Sequence, residues 1–163
     1  MKKYFYFLSL LLIVTSCTED VKFNNPAFQT LKNNIFWRAR NYKAYLNANG
    51  TMIVEGNLGY EKVVLQTQSS AEQPYTLGVD ELSRATYENT LPSELSSYAT
   101  GTNYGNGQIV ITDYDTELKT ISGTFKFTGV NEDTENVENP QIHFTEGVFY
   151  KVPVEVSEIV HHL

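Results

Sequence analysis

Apolar and polar residues alternate with a period of two along most of the chain. The clearest alternation covers residues 121–127, where Ile, Gly and two Phe interleave with Ser, Thr and Lys. This period places the apolar side chains on one face of a half-buried strand, whereas a helix repeats about every 3.6 residues. Residues 35–46 alternate similarly, and Asn49-Gly50 then supplies a hairpin turn, because both residue types tolerate a positive φ. These patterns predict strands joined by tight turns.

Weaker signals occupy the middle of the chain. Residues 61–67 and 75–78 favour strands, whereas residues 80–87 fit either one turn of helix or a strand. Residues 91–107 are rich in Ser, Thr, Asn and Gly and predict a loop with one edge strand. A strand then follows from residue 108.

The end of the chain predicts a final strand. Val148, Tyr150 and Val152 would share its buried face, after Ile142 and Phe144. Pro153 belongs at an edge or a strand end, because it cannot donate to a ladder. No long amphipathic helix is indicated anywhere. The predicted fold is therefore all-β: an antiparallel β-sandwich or flattened barrel of roughly 8–10 short strands.

The first twenty residues predict export. Lys2 and Lys3 precede a short apolar run, residues 4–14, and then Val-Thr-Ser-Cys up to Cys17. This run is shorter than the ~20 apolar residues that span a bilayer. The tetrapeptide Val-Thr-Ser-Cys resembles a bacterial lipobox, with cleavage between Ser16 and Cys17 and lipid attachment to the cysteine. A plain secretory signal is the rival interpretation. The domain organisation that follows is a signal peptide (1–16), a lipidated tether (17–26) and one all-β domain (27–163).

The lipobox implies a bacterial cell-envelope protein held to a membrane by acyl chains on Cys17. Stable anchoring needs two or more chains, which a diacylglyceryl group such as a palmitate-bearing one supplies. Glu19 and Asp20 resemble an export signal of Bacteroidetes-type lipoproteins and equally fit a solvated linker. The expected location is the outer membrane, with exposure at the cell surface as one option.

Charge excludes one class of partner. The formal net charge is −7, and Arg38, Arg40 and Arg84 form no basic run. Nucleic acid is therefore not an expected partner.

Catalytic signals are weak throughout the chain. His143 lies in a predicted strand, and His161 and His162 stand at the C-terminus, so no serine or cysteine has an evident base. The glycine-rich residues 101–107 lack the Lys-Ser/Thr step of a phosphate loop. We expect no catalytic residue, no enzymatic activity and no cofactor.

Two acidic segments could bind calcium, and both also suit ordinary turns. Asp113, Asp115 and Glu117 alternate along one segment, and residues 131–138 form an acidic loop. Neither matches the twelve-residue calcium hand, and Asp and Asn favour turns for backbone reasons. We therefore predict no metal site, with the triplet as the weak candidate.

Aromatic residues offer a possible sugar platform. Tyr98, Tyr104 and Tyr114 fall in predicted loops, whereas Trp37 alternates with apolar neighbours and is predicted to lie in the core.

Three stretches carry a family resemblance: residues 33–39, which join a turn to a tryptophan strand, residues 121–127 with Gly-Thr-Phe-x-Phe, and residues 145–149 with Gly-Val-Phe. With the lipobox, the chain resembles small Bacteroidetes-type lipoproteins that carry a domain of unknown function. The resemblance implies an envelope location and an all-β fold. It supplies no established active site to carry over and leaves the activity open.

Three functions remain open from the sequence. The first is a non-enzymatic binding or accessory module for a glycan or an envelope protein, with loops on a rigid scaffold making the contacts. The second is a structural envelope protein that pairs with a partner through a sheet edge. The third, an acid-base hydrolase, has the least support.

Overall fold

A computed structural model describes residues 25–156 of the chain. This part contains eleven strands and no helix, and so no helix that could cross a membrane. The strands are β1 (Ala27–Lys32), β2 (Ile35–Arg38), β3 (Asn41–Leu46), β4 (Met52–Leu58), β5 (Glu61–Thr67), β6 (Pro74–Leu77), β7 (Arg84–Asn89), β8 (Ser96–Ala99), β9 (Asn106–Asp115), β10 (Thr120–Asn131) and β11 (Gln141–Val156).

Strand pairing closes the sheet into a flattened barrel. Its ring runs β11-β3-β4-β5-β7-β8-β10 and returns to β11, while β1 and β2 extend it beyond β11, and β9 and β6 beyond β10. The two longest strands each change neighbour along one edge: β11 passes from β1 to β3, and β10 passes from β9 to β8. The result is a six-stranded layer, β2-β1-β11-β10-β9-β6, facing a five-stranded layer, β3-β4-β5-β7-β8.

Aromatic side chains fill the space between the two layers. Phe28, Phe144 and Phe149 are fully buried. The ring of Tyr87, on the five-stranded layer, lies 5.5 Å from that of Phe144, on the six-stranded layer. Each large apolar side chain removed from water contributes about 1.5–3 kcal/mol. Since residues 25–156 contain no cysteine, this packing stabilises the described domain without disulfides.

The all-β prediction is confirmed, as are the strongest local signals. Asn49-Gly50 joins β3 to β4, with Gly50 at φ 88°, and β5 covers the predicted residues 61–67. Trp37 is buried at 2% exposure, as predicted for a core residue. The strand number is eleven, above the predicted range, and the β11–β3 pair is parallel in an otherwise antiparallel sheet.

The middle of the chain differs in part from the prediction. Of the two options for residues 80–87, the strand is confirmed, because residues 84–89 form β7. Between residue 91 and the start of β9 the chain forms one strand, β8. This strand lies between β7 and β10, so it is not the predicted edge strand. At the true edge, Ile35 of β2 is 70% exposed despite sharing the alternation of Trp37.

Two β-bulges in β11 change which residues face inward. The ladder with β10 shifts register between Phe144 and Gly147 and again between Phe149 and Val152. A bulge adds one residue and so exchanges the two faces of the strand beyond it. Phe149 is consequently buried in place of Val148 and Tyr150, which contradicts the predicted face.

Pro153 lies inside β11, and not at an edge or a strand end as predicted. It stands where β11 leaves β1, whose last pair is with Tyr150, and joins β3 at Val154. Because the edge of β11 changes partner there, a residue without an N–H group is tolerated within the strand.

Candidate functional site

Three connections between strands line one open cleft, and a fourth is hydrogen-bonded to one of them. The β1–β2 turn, the β7–β8 loop and the β10–β11 loop form its walls, and the cleft measures about 450 Å³. The β4–β5 turn is tied to the β7–β8 loop, because the N–H of Thr90 donates to the carbonyl of Tyr60 at 3.0 Å. We call this feature the four-loop cleft. Its lining consists of Lys32, Asn33, Tyr87, Asn89, Pro92, Ser93, Glu94, Leu95, Ser96, Tyr98, Asn136, Asn139 and Ile142.

The β1–β2 turn is rigid for local reasons. Asn33 and Asn34 have φ values of 48° and 66°, the conformation of a two-residue hairpin turn that Asn adopts readily. The N–H of Asn33 donates to the carbonyl of His143 at 2.8 Å, and the N–H of His143 donates to Oδ1 of Asn33 at 2.9 Å. The turn is therefore fastened to β11.

Side-chain amides fasten the other two loops. Oδ1 of Asn89 accepts the N–H of Leu91 at 3.0 Å at the start of the β7–β8 loop. Nδ2 of Asn131 donates to the carbonyl of Asn139 at 2.9 Å across the β10–β11 loop, and the hydroxyl of Tyr98 donates to the same carbonyl at 3.3 Å. The loops that frame the cleft are thus preorganised by the strands beneath them.

A cluster of four side chains from four strands lies behind one wall of the cleft. We call it the Glu61 cluster: Lys32, Trp37, Glu61 and Tyr87. The Tyr87 hydroxyl donates to Oε1 of Glu61 at 2.5 Å, the Trp37 indole N–H donates to Oε2 at 2.8 Å, and Lys32 forms an ion pair with Oε1. Lys32 also donates to the Tyr87 hydroxyl at 3.2 Å and lies over its ring. The cluster joins the β1–β2 hairpin to the opposite layer.

These contacts decide the ionisation of the cluster. Burial alone would raise the pKa of Glu61, but the hydrogen bonds from Lys32, Tyr87 and Trp37 outweigh it and hold that pKa below its ordinary value. Burial, followed by the bond to Glu61, raises the pKa of Tyr87 far above its ordinary value. Glu61 is therefore a carboxylate and Tyr87 a neutral phenol at neutral pH.

The cluster is suited to holding the cleft in shape. Both oxygens of Glu61 already accept hydrogen bonds, and Lys32 is paired. An ionised carboxylate with a lowered pKa is a poor general acid. The lining of the cleft consists mostly of amide and hydroxyl side chains, which donate and accept hydrogen bonds without a net charge, together with the exposed carboxylate of Glu94.

The predicted tyrosine platform is wrong for two of its three members. Tyr98 belongs to β8 and is only 6% exposed, and Tyr114 belongs to β9 and packs against the core. Tyr104 alone lies in a loop, with 37% exposure. Tyr98 and Tyr114 lie in strands, where the alternation of side chains directs both rings toward the core. Their polar neighbours in the sequence made these strands look like loops.

The candidate calcium residues serve the turns in which they lie. Asp113 and Asp115 belong to β9, so the turn begins later than predicted. Oδ1 of Asp115 accepts the N–H groups of Glu117 and Leu118 at 2.9 and 2.7 Å. In the acidic loop, Asn and Asp side chains cap backbone N–H groups in the same way. Within residues 25–156, no three His, Asp or Glu side chains form a metal-binding group.

The remaining candidates are accounted for by position. His143 is a strand residue of β11, and its Nδ1 lies 3.0 Å from the Thr128 hydroxyl. The lipidation and cleavage residues, Cys17 and Ser16, and the terminal His161 and His162 lie outside the described residues.

Sequence reasoning missed the residues that matter most at this site. Lys32, Glu61 and Tyr87 are separated by at least 26 positions from one another, and none belongs to a recognisable spacing pattern. Only Trp37 was singled out, as a core residue; its indole N–H, which must find an acceptor when buried, was the one available signal.

Comparison with known proteins gives two matches. Residues 1–18 match the prokaryotic membrane lipoprotein lipid attachment site, which describes a lipid-anchored protein of the cell envelope. No curated protein and no solved structure matches the chain significantly. Residues 24–153, most of the chain, match a family model, and the chain therefore belongs to the family described as a domain of unknown function, DUF6252.

Proposed function

We propose that this lipoprotein is a non-enzymatic binding module of the cell envelope, and that its four-loop cleft takes an uncharged oligosaccharide. One observation carries the proposal: loops from distant parts of the chain converge on one open cleft whose walls are mostly amides and hydroxyls, with one carboxylate, Glu94. Binding sites of this kind are concave, largely preformed and supplied with a few polar groups that fix orientation.

The lining suits a sugar in particular. Asn33, Asn136 and Asn139 present amide N–H groups that can donate to sugar hydroxyls, and the hydroxyls of Ser93 and Ser96 both donate and accept. Leu95 and Ile142 supply apolar surface for the carbon faces of a ring. Lys32, the cation of the lining, is already neutralised by Glu61, so the described part of the chain offers no free cation to an acidic ligand in the cleft.

The membrane anchor supplies the setting. We propose that acyl chains on Cys17 hold the domain at the outer membrane of a Bacteroidetes-type bacterium, facing outward. The ten residues 17–26 can reach at most about 35 Å when fully extended, so the domain would stay close to the lipid surface. Cys17→Ala should abolish acyl labelling and release the protein from membranes; membrane retention equal to wild type would contradict the anchor.

A hydrolase has less support than a binding module. Acid-base hydrolysis of a glycoside needs two carboxyl groups facing the bond, one of them with a raised pKa. Among the described residues that line the cleft, Glu94 is the one with a carboxyl group. Glu61, behind the wall, has a lowered pKa and accepts three side-chain hydrogen bonds, so it does not supply the second.

A glycan array with the mature lipoprotein, purified in nonionic detergent, tests the cleft. We expect neutral oligosaccharides to be bound and Ser93→Trp, which fills the cleft, to remove their binding. Thr116→Trp is the matched control, because it lies in the exposed β9–β10 turn, at the far end of β10. Binding to no neutral oligosaccharide, or an equal loss in the two variants, would refute the proposal.

An edge-pairing protein is the second candidate, because among residues 25–156 β2 pairs with β1 alone and its other edge is open. Ile35 and Phe36 are 70% and 63% exposed there. An open, apolar edge strand is a template for a partner strand. Phe36→Lys should then abolish cross-linking to an envelope protein while leaving oligosaccharide binding intact; unchanged cross-linking would eliminate this candidate.

A further inference from the structure

The outer face of the six-stranded layer carries a trough that is separate from the four-loop cleft. Three depressions of about 250, 520 and 320 Å³ follow one another across β9, β10, β11, β1 and β2. Lys126 lines the first and the second, and Val148 lines the second and the third. The depressions are therefore contiguous, and we call them the outer trough.

A strained bulge of β11 lies within this trough. Glu146, at φ 53°, occupies the register shift opposite Phe125 and Phe127, and it lines the middle depression together with Gly147. A bulge bends its strand, and a non-glycine residue in the left-handed region costs roughly 1–2 kcal/mol. Strain of this kind is concentrated at functional positions.

The polar lining of the outer trough matches an extended polyhydroxylated chain. Amide and hydroxyl side chains recur on successive strands, so hydrogen bonds are available along its whole length. Tyr150 adds a ring on which a sugar can stack. The uncharged polar residues are Asn25, Gln29, Asn106, Gln108, Thr124, Thr128 and Thr145.

Two cations line the outer trough. Within residues 25–156, neither Arg38 nor Lys126 has a carboxylate at ion-pair distance, whereas Lys32, Lys43, Lys62 and Arg84 do. Arg40 and Lys119 also have none within these residues, but they lie outside the trough. Glu146 is the one carboxylate residue among those that line the three depressions. A chain of net charge −7 thus keeps two unpaired cations on one concave face.

The spacing of these cations indicates how charge is distributed in the ligand. Lys126 is on β10 and Arg38 on β2, three strands apart in the order β10-β11-β1-β2. At about 4.8 Å per strand, their backbones are separated by at least about 14 Å across the sheet. Densely charged polyanions would be repelled by the negative chain, whereas isolated acidic groups at this spacing would meet one cation each.

We propose that the outer trough binds a linear acidic glycan whose acidic sugars are separated by neutral ones. This surface acts independently of the cleft. Its ligand differs from nucleic acid in charge density and from the neutral oligosaccharide of the cleft in carrying carboxylates, which form charge-assisted hydrogen bonds with Arg and Lys.

Affinity electrophoresis of the mature lipoprotein in nonionic detergent tests this proposal. The probes are hyaluronan and xanthan, with acidic sugars separated by neutral ones, dextran, which is neutral, and polyglutamate, an acidic peptide. We expect retardation by hyaluronan or xanthan, and about tenfold weaker binding for each of Lys126→Gln and Arg38→Gln. Lys126→Arg should retain binding, and Arg40→Gln, which removes a cation outside the trough, should not change it.

Several results would overturn the proposal. These are no retardation by either acidic glycan, equal retardation by dextran or polyglutamate, or a loss with Arg40→Gln as large as with Arg38→Gln. Because Arg38 and Lys126 have no ion-pair partner within the described residues, their substitution should leave the melting temperature unchanged. Ser93→Trp, which fills the cleft, should not alter retardation, so failure of the cleft proposal remains distinguishable.

Discussion

Replacing Glu61 by Gln should lower the free energy of unfolding by about 2–4 kcal/mol near neutral pH. The carboxylate accepts hydrogen bonds from Lys32, Trp37 and Tyr87. Bonds to a charged group contribute about 1.5–3 kcal/mol each, and breaking a buried ion pair costs about 3–5 kcal/mol. The Lys32 and Glu61 side chains are 24% and 19% exposed, which places the expected loss toward the lower end. Gln would also replace one of the two oxygens by an NH₂ group, which cannot accept the hydrogen bonds made to that oxygen.

Urea unfolding of the wild type and of two variants measures this loss. Glu88→Gln is the matched control, because it removes the same charge from an exposed position on the strand that carries Tyr87. We expect Glu88→Gln to change the free energy of unfolding by less than about 0.5 kcal/mol.

The difference between wild type and Glu61→Gln should depend on pH. The native pKa of Glu61 lies below its ordinary value of 4.5. The stabilisation is therefore fully present above the unfolded pKa and is lost as pH falls through the native pKa. We expect the two unfolding free energies to converge below about pH 4.

Two results would refute this reasoning. If Glu61→Gln lowers the free energy of unfolding by less than about 1 kcal/mol near neutral pH, the Glu61 cluster stabilises the fold no more than an ordinary surface ion pair does. A difference that is the same in acid as at neutral pH would show that Glu61 acts through packing and not through its charge.

Three further predictions concern other parts of the domain. Gly123→Ala should lower stability by about 2–3 kcal/mol in urea unfolding, because a Cβ there would collide with the Val110 carbonyl and the Phe149 ring; an unchanged midpoint would contradict this. Since the native pKa of Tyr87 is raised, the stabilisation that its neutral phenol provides is present below the unfolded pKa and is lost as pH rises above about 10. Tyr87→Phe should therefore reduce the fall in the free energy of unfolding at alkaline pH. Parallel plots of the free energy of unfolding against pH for the wild type and the variant would contradict this prediction. Chelator should leave the melting temperature unchanged, because Asp115 already caps its turn; a lower melting temperature would restore the calcium hypothesis.

Local signals predicted the parts of the fold that depend on neighbouring residues. The β3–β4 hairpin follows from Asn49-Gly50. Strand β10 follows from the alternation of inward-facing and outward-facing residues, which continues along residues 123–131. In β11 the same reasoning failed, because the bulges at residues 145–146 and 150–151 exchange the inward and outward faces of the strand. A bulge without a turn residue leaves no clear mark in the sequence.

The candidate site was less predictable than the fold. The Glu61 cluster is formed by ring closure, which brings β1 and β2 against β5 and β7. No periodic pattern encodes contacts between opposite layers, so a lysine, a glutamate and a tyrosine at unrelated positions look like surface residues. The buried position of Tyr98 has the same cause, since β8 became an inner strand when β10 paired with it.

The most direct test of the central claim is a thermal-shift titration of the mature lipoprotein with neutral oligosaccharides, in parallel with Ser93→Trp. A ligand at 100 times its dissociation constant adds about 2.7 kcal/mol to the native state, which raises the melting temperature by several degrees. We predict such a shift in the wild type and none in Ser93→Trp. An unchanged melting temperature across the panel, or an equal shift in the variant, would contradict the assignment of the four-loop cleft as a sugar-binding site.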